Sequence, residues 1–186
     1  MRYFRILAAF VILTCAGCAS LAQLPFYLAY QDTMPHTTAD YLYGEAQKYL
    51  GCHYRYGGKG PDAFDCAGFT RFIYAKIGYE LAPYAGGQYK QGEEIDDPRN
   101  LRRGDLVFWG GRRGGKKSIG HVGMVVDVDT ATGRFRFIHS ATSGGIRYDQ
   151  SEEQYYRSRY IGACRVLPDP PYIEAKPAKK KNCWEK

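Results

Sequence analysis

Cys66 stands directly after Asp65 and at the head of a run in which Phe69, Phe72, Ile73 and Ile77 recur at helical spacing. That pattern predicts an amphipathic helix from Cys66 to Ile77, with Asp65 as its N-cap. A thiol at such a helix start meets unpaired amides and the positive end of the helix dipole, which favour the thiolate and lower the pKa. The chemistry on offer is nucleophilic: a thiolate attacks a carbonyl carbon and holds the acyl group as a thioester. Free cysteines are more often small buried hydrophobes than nucleophiles, so the reading depends on a base standing nearby.

Two histidines answer that need. Residues 120–128 and 134–140 read as strands joined by Asp129-Thr130-Ala131-Thr132-Gly133, a natural hairpin connection. A hairpin centred near residue 130 sets His121 opposite His139. Alternation then groups His121 with Gly123 and Val125, and His139 with Phe135 and Phe137. A helix N-terminus packed across that face brings Cys66 to both rings. His121 would take the thiol proton and later deliver it to a leaving amine, while His139 holds the first imidazole in the useful tautomer. The Cys66 amide and the Tyr54 hydroxyl are candidate oxyanion donors. An ordinary histidine base loses its function on protonation, so activity is expected to fall in mild acid. Zinc accepts the same set, Cys66, His121 and His139, but close-spaced ligand pairs are missing. The cysteine reading calls for no cofactor.

The elements that must position these groups follow in order. Thr37 and Asp40 have capping-box spacing, and Ala39, Leu42, Ala46, Tyr49 and Leu50 form a helical apolar face ending at Gly51. Residues 54–61 are a tight glycine-rich loop, which lacks the Gly-Lys-Ser/Thr ending of a phosphate loop. A polar linker is expected over 78–98 and a glycine-rich, basic loop over 110–120. Strands are expected over 106–109, 122–128, 134–140, 146–148 and 160–166. Helices first and strands afterwards imply an α+β domain over residues 37–168, its helices on one side of a curled antiparallel sheet.

The two ends have their own character. Arg2 and Arg5, an apolar run over 6–13 and then Thr14-Cys15-Ala16-Gly17-Cys18 have the three regions of an export signal. Ala16 and Gly17 before Cys18 resemble a bacterial lipoprotein signal, with residues 1–17 removed and Cys18 lipidated. Cys15 occupies the position where that pattern usually has Leu. A plain secretory signal and an uncleaved anchor are the other readings. Ala19 and Ser20 lack the aspartate associated with inner-membrane retention, so the resemblance implies a lipid anchor in the outer membrane, facing the periplasm. Residues 18–36 would be a tether, and 169–186 a basic, Pro/Lys-rich tail. The formal charge of +7 favours anionic surfaces such as a wall polymer or lipid headgroups. No nucleic-acid reader module is recognisable. Cys52, Cys164 and Cys183 leave the choice of a disulfide pair open.

Five ordered segments resemble the NlpC family of cell-wall cysteine peptidases. They are Tyr54-Arg55-Tyr56-Gly57-Gly58, Asp65-Cys66-Ala67-Gly68-Phe69, Gly104-Asp105-Leu106-Val107-Phe108, His121-Val122-Gly123, and Ile138-His139-Ser140 followed by Gly145-Ile146. The resemblance implies a compact papain-like fold, a helix-plus-half-barrel, with Cys66 as nucleophile, His121 as base and His139 as the orienting third residue. Tyr54 and Asp65 fall on the oxyanion or substrate side. The implied substrates are peptidoglycan stem peptides, cut after γ-D-glutamyl and before diaminopimelate, or at the D-amino-acid crosslink. Acyl transfer through the same thioester, and wall binding without turnover, are the alternatives. Ala67 stands where the family usually has serine, which puts substrate preference in question.

Overall fold

The computed structural model describes residues 37–111 and 118–167. The expected signal, Cys18, the expected tether, the basic residues 112–117, the expected tail and Cys183 lie outside them. Thr37 and Asp40 close the expected capping box and start helix α1, Thr38–Gln47. The chain then forms β1, His53–Tyr54, and β2, Ala63–Phe64, which pair in parallel. Asp65 caps helix α2, Cys66–Tyr74, with its side chain on the Gly68 amide. The short helix α3, Ala85–Tyr89, and strand β3, Glu93–Ile95, occupy the segment expected to be a linker.

Five further strands follow: β4, Leu106–Gly110; β5, Ile119–Asp129; β6, Arg134–Ala141; β7, Gly145–Gln150; and β8, Tyr160–Arg165. Helix α4, Gln154–Arg157, lies between the last two. All six strands β3 to β8 form one antiparallel sheet in the order β3-β8-β4-β5-β6-β7.

The α+β class holds, but the curled sheet and half-barrel do not. The sheet is open: β3 and β7 end the order on opposite sides, and no pairing between them closes it. Closure needs two free edges to meet, and the outer edge of β7 is already engaged. Gly51 N–H donates to the Ile146 carbonyl at 2.8 Å and Ile146 N–H to the Cys52 carbonyl at 2.9 Å. The segment after α1 thus covers that edge.

Alternation along the strands divides the core in two. Leu106, Phe108, Val122, Met124, Val126 and Ile138 face the main core with Phe69, Ile73 and Tyr74 of α2. Val107, Trp109, Val125, Phe135, Phe137 and Tyr156 pack on the other face. Asp105, 2 % exposed, anchors the end of β8 through paired bonds to Arg165 at 2.8 and 2.9 Å. A buried charge is held in this way only when its oxygens are satisfied.

Candidate active site

Cys66 begins α2 because the residues before it leave no freedom of placement. The Asp65 N–H donates to the Gly58 carbonyl at 2.9 Å, and the Asp65 carboxylate accepts from Gly68 N–H at 2.6 Å and Gly57 N–H at 3.0 Å. A Cβ on Gly68 would lie 2.0 Å from the Gly58 carbonyl oxygen, so only glycine lets helix and loop approach this closely. Below, the buried Gln88 amide donates to the Ala67 carbonyl at 2.9 Å and its carbonyl accepts from the Thr70 hydroxyl at 2.7 Å. The thiol end of α2 is therefore pinned on two sides.

The histidines meet by a route different from the expected one. Met124 pairs with Ile138 and Val125 with Phe137. Continued along the strands, that register sets Gly123, rather than His121, opposite His139. The displacement is two residues, so the face is kept. The glycine leaves His139 room, since a Cβ on Gly123 would come 3.2 Å from the His139 Cβ. His121 Nε2 then reaches His139 Nδ1 at 2.7 Å.

Both rings belong to the Trp109 and Phe137 face, not to the face on which α2 rests. The helix start consequently meets them at the strand ends. A cleft of about 650 Å³ opens there, lined by Tyr54, Cys66, Gly110, Gly120, His121 and His139 among others. Asp65 is not among the lining residues, its carboxylate being committed to the two amides. Ala67 is 4 % exposed and belongs to the main core, so the position usually held by serine points away from the cleft.

Three residues of this site were not foreseen. His139 Nε2 lies 2.9 Å from Asp149 Oδ2. The same oxygen accepts from Arg147 Nε at 3.0 Å, from Arg147 Nη2 at 2.8 Å and from the Tyr156 hydroxyl. The strand expected over 146–148 stops one residue short of Asp149. Continuing its alternation would have placed Asp149 with Arg147 beside the His139 strand. Tyr156 carried no such signal, for it sits on the one-turn helix α4.

Electrostatics alter the expected thiolate. Burial pushes the Cys66 thiol up to about 11, although the Val122 backbone and the amides of Ala67 and Cys66 pull it down. Desolvation therefore outweighs the helix start. Burial, aided by the neighbouring His139, lowers His121 to about 3, against a weaker upward pull from Asp149. Thiol and imidazole both rest neutral, so with His121 as the base, as the sequence leads one to expect, the thiol proton would move during attack rather than before it. A base with a lowered pKa becomes protonated only at lower pH, so the loss of activity moves out of the mildly acid range. The expected kcat/KM profile is flat from about pH 5 to pH 8 and falls below about pH 4; half-maximal activity near pH 6 would contradict it. Among the described residues, no group of three His, Cys, Asp or Glu side chains comes together as a metal site.

Residues 51–165 match the model of the NlpC/P60 family, well over half of the chain. The chain belongs to the NlpC/P60 family. It is 37% identical over 125 residues to a probable endopeptidase p60 of Listeria innocua, covering 67% of this chain and 24% of that one. It is 32% identical over 139 residues to a gamma-D-glutamyl-L-lysine dipeptidyl-peptidase of Bacillus cereus, covering 74% of this chain and 39% of that one. Among solved structures, an NlpC/P60 family protein from Bacillus cereus superposes with a TM-score of 0.63 at 31% identity, covering 74% of this chain and 43% of the other. This NlpC/P60 chain thus spans well under half the length of the curated relatives it matches.

Proposed function

We propose that this NlpC/P60 chain is a peptidoglycan endopeptidase that hydrolyses an amide of the stem peptides through a thioester on Cys66. The observation that carries the reading is the meeting of Cys66, His121 and His139 in one cleft, with His121 Nε2 2.7 Å from His139 Nδ1. Cys66 is the nucleophile and His121 the base. As sulfur attacks the carbonyl carbon, the thiol proton passes to His121. The tetrahedral oxyanion is met by the helix-start amides of α2 and the Tyr54 hydroxyl. The C–N bond then breaks, and His121 gives the proton to the leaving amine. Water, deprotonated by His121, attacks the thioester and releases the acid and the thiol.

The bond we favour follows γ-D-glutamyl, with the D-amino-acid crosslink second. Support comes from the family motifs and from the similarity to the gamma-D-glutamyl-L-lysine dipeptidyl-peptidase of Bacillus cereus. We place the protein at the outer membrane, anchored through Cys18 and facing the periplasm, on the strength of the N-terminal sequence. Mass spectrometry of digested muropeptides tests the bond. The expected fragments end in D-glutamate and begin with diaminopimelate. Fragments separated only at the crosslink would move the assignment to that bond, and an unchanged digest would defeat the proposal.

A further inference from the structure

His139 is the third member of the site by resemblance, but its own orientation has a cause one step further out. We propose that Asp149 is a positioning residue, fixing the tautomers of both histidines so that Nδ1 of His121 is left as the unprotonated nitrogen. The inference rests on His121 being the base.

The assignment runs inward from the carboxylate. Asp149 is 8 % exposed, and its Oδ2 takes two donors from Arg147, one from Tyr156 and one from His139. Hydrogen bonds from those three side chains outweigh burial and hold the carboxyl down at about 2, so it remains an acceptor. His139 Nε2, 2.9 Å away, must then carry the proton. The opposite tautomer would set a lone pair against a carboxylate oxygen. The Tyr156 hydroxyl, 3.3 Å from Nε2, does not rescue that arrangement, because its hydrogen closes the shorter bond to Asp149.

His139 is 1 % exposed and burial keeps it neutral against the pull of Asp149, so it holds one proton and its Nδ1 is bare. The 2.7 Å contact between that nitrogen and His121 Nε2 is a hydrogen bond only when His121 donates. His121 is neutral too, which leaves its Nδ1 without a proton. One carboxylate thus sets two rings through a single chain of donors. Its own placement depends on Arg147, whose guanidinium also reaches the Ser143 carbonyl at 3.3 Å.

Nitrogen-15 spectra of the histidine rings in the unmodified protein, at neutral pH, read the tautomers without substrate. Both His121 and His139 are expected to be protonated at Nε2; a proton on His121 Nδ1 overturns the proposal. Asp149→Ala removes the acceptor and leaves Tyr156 and Arg147 free to donate to His139 Nε2, so the His139 proton shifts to Nδ1. The expected loss in kcat is on the order of 10²–10³, with KM within about threefold. Asp149→Asn is the conservative comparison, because its carbonyl oxygen can take the place of Oδ2 before the same donors. It is expected to keep the Nε2 tautomers and to lie within about tenfold of the unmodified rate. An Asp149→Ala protein at full kcat, or an Asp149→Asn protein no better than Asp149→Ala, overturns the role. Unmodified protein with both Nε2 tautomers and no muropeptide cleavage would defeat the functional reading and leave the tautomer assignment standing.

Discussion

Cys66→Ala protein is expected to bind muropeptides as the unmodified protein does and to release no fragment from them. The sulfur is the only atom that forms the proposed covalent intermediate. The other free cysteine among the described residues, Cys164, is fully buried and does not line the cleft. The expected loss in kcat is on the order of 10⁵–10⁶, the scale on which removing a nucleophile acts in other covalent hydrolases. Binding changes little, since one sulfur is a small part of a cleft of about 650 Å³. The fold is expected to persist: alanine is a good residue for a first helical turn, and the Asp65 cap on Gly68 is untouched. Calorimetric titration with a muropeptide and chromatographic assay of fragments separate the two effects. A rate loss smaller than about tenfold would place the nucleophile elsewhere.

Gly68→Ala is expected to act on the structure instead. On helix propensity alone it would add about 1 kcal/mol of stability. Space decides the other way, because the added Cβ lies 2.0 Å from the Gly58 carbonyl oxygen and 3.0 Å from the Asp65 carboxylate. The first of these is backbone, and it also accepts the Asp65 N–H. Helix and loop must part, the N-cap is strained, and Cys66 moves relative to the strand ends. A net destabilisation of about 2–3 kcal/mol, or roughly 5–12 °C in Tm, follows, together with loss of most activity. Gly44→Ala is the comparison. Nothing lies within 4 Å of a Cβ there, so the same replacement in α1 should raise Tm slightly. Equal and positive shifts for both would refute the close-approach argument.

Local patterns were legible where one residue type has one physical use. The capping box at Thr37, the Asp65 cap and the apolar stripe of α2 follow from side chains acting on amides three residues away. Register was harder. Period-two alternation put His121 and His139 on a shared face. The irregularity between Val125 and Asp127 shifts the count and is invisible in a sequence with no glycine at that point. Because the displacement from the centred hairpin was even, the rings still met.

Long-range facts were the least legible. An open sheet rather than a half-barrel depends on what covers the edge of β7, and that cover comes from a segment almost a hundred positions earlier in the chain. The thiol pKa failed for a related reason: the helix start is a local feature, whereas desolvation is set by the whole fold. Asp149 lies between these cases, one residue beyond a strand whose alternation already pointed to it. The short α3 was missed because Ala85-Gly86-Gly87-Gln88-Tyr89 is poor in helix formers. Its Gln88 is nonetheless what braces the cysteine helix.

The central claim is that the Cys66 thiol cuts a stem-peptide amide. Its most direct test is the quantity of fragment released from one purified muropeptide by equal concentrations of unmodified and Cys66→Ala protein. Fragment is expected from the first and none above background from the second. Equal amounts from both would contradict it.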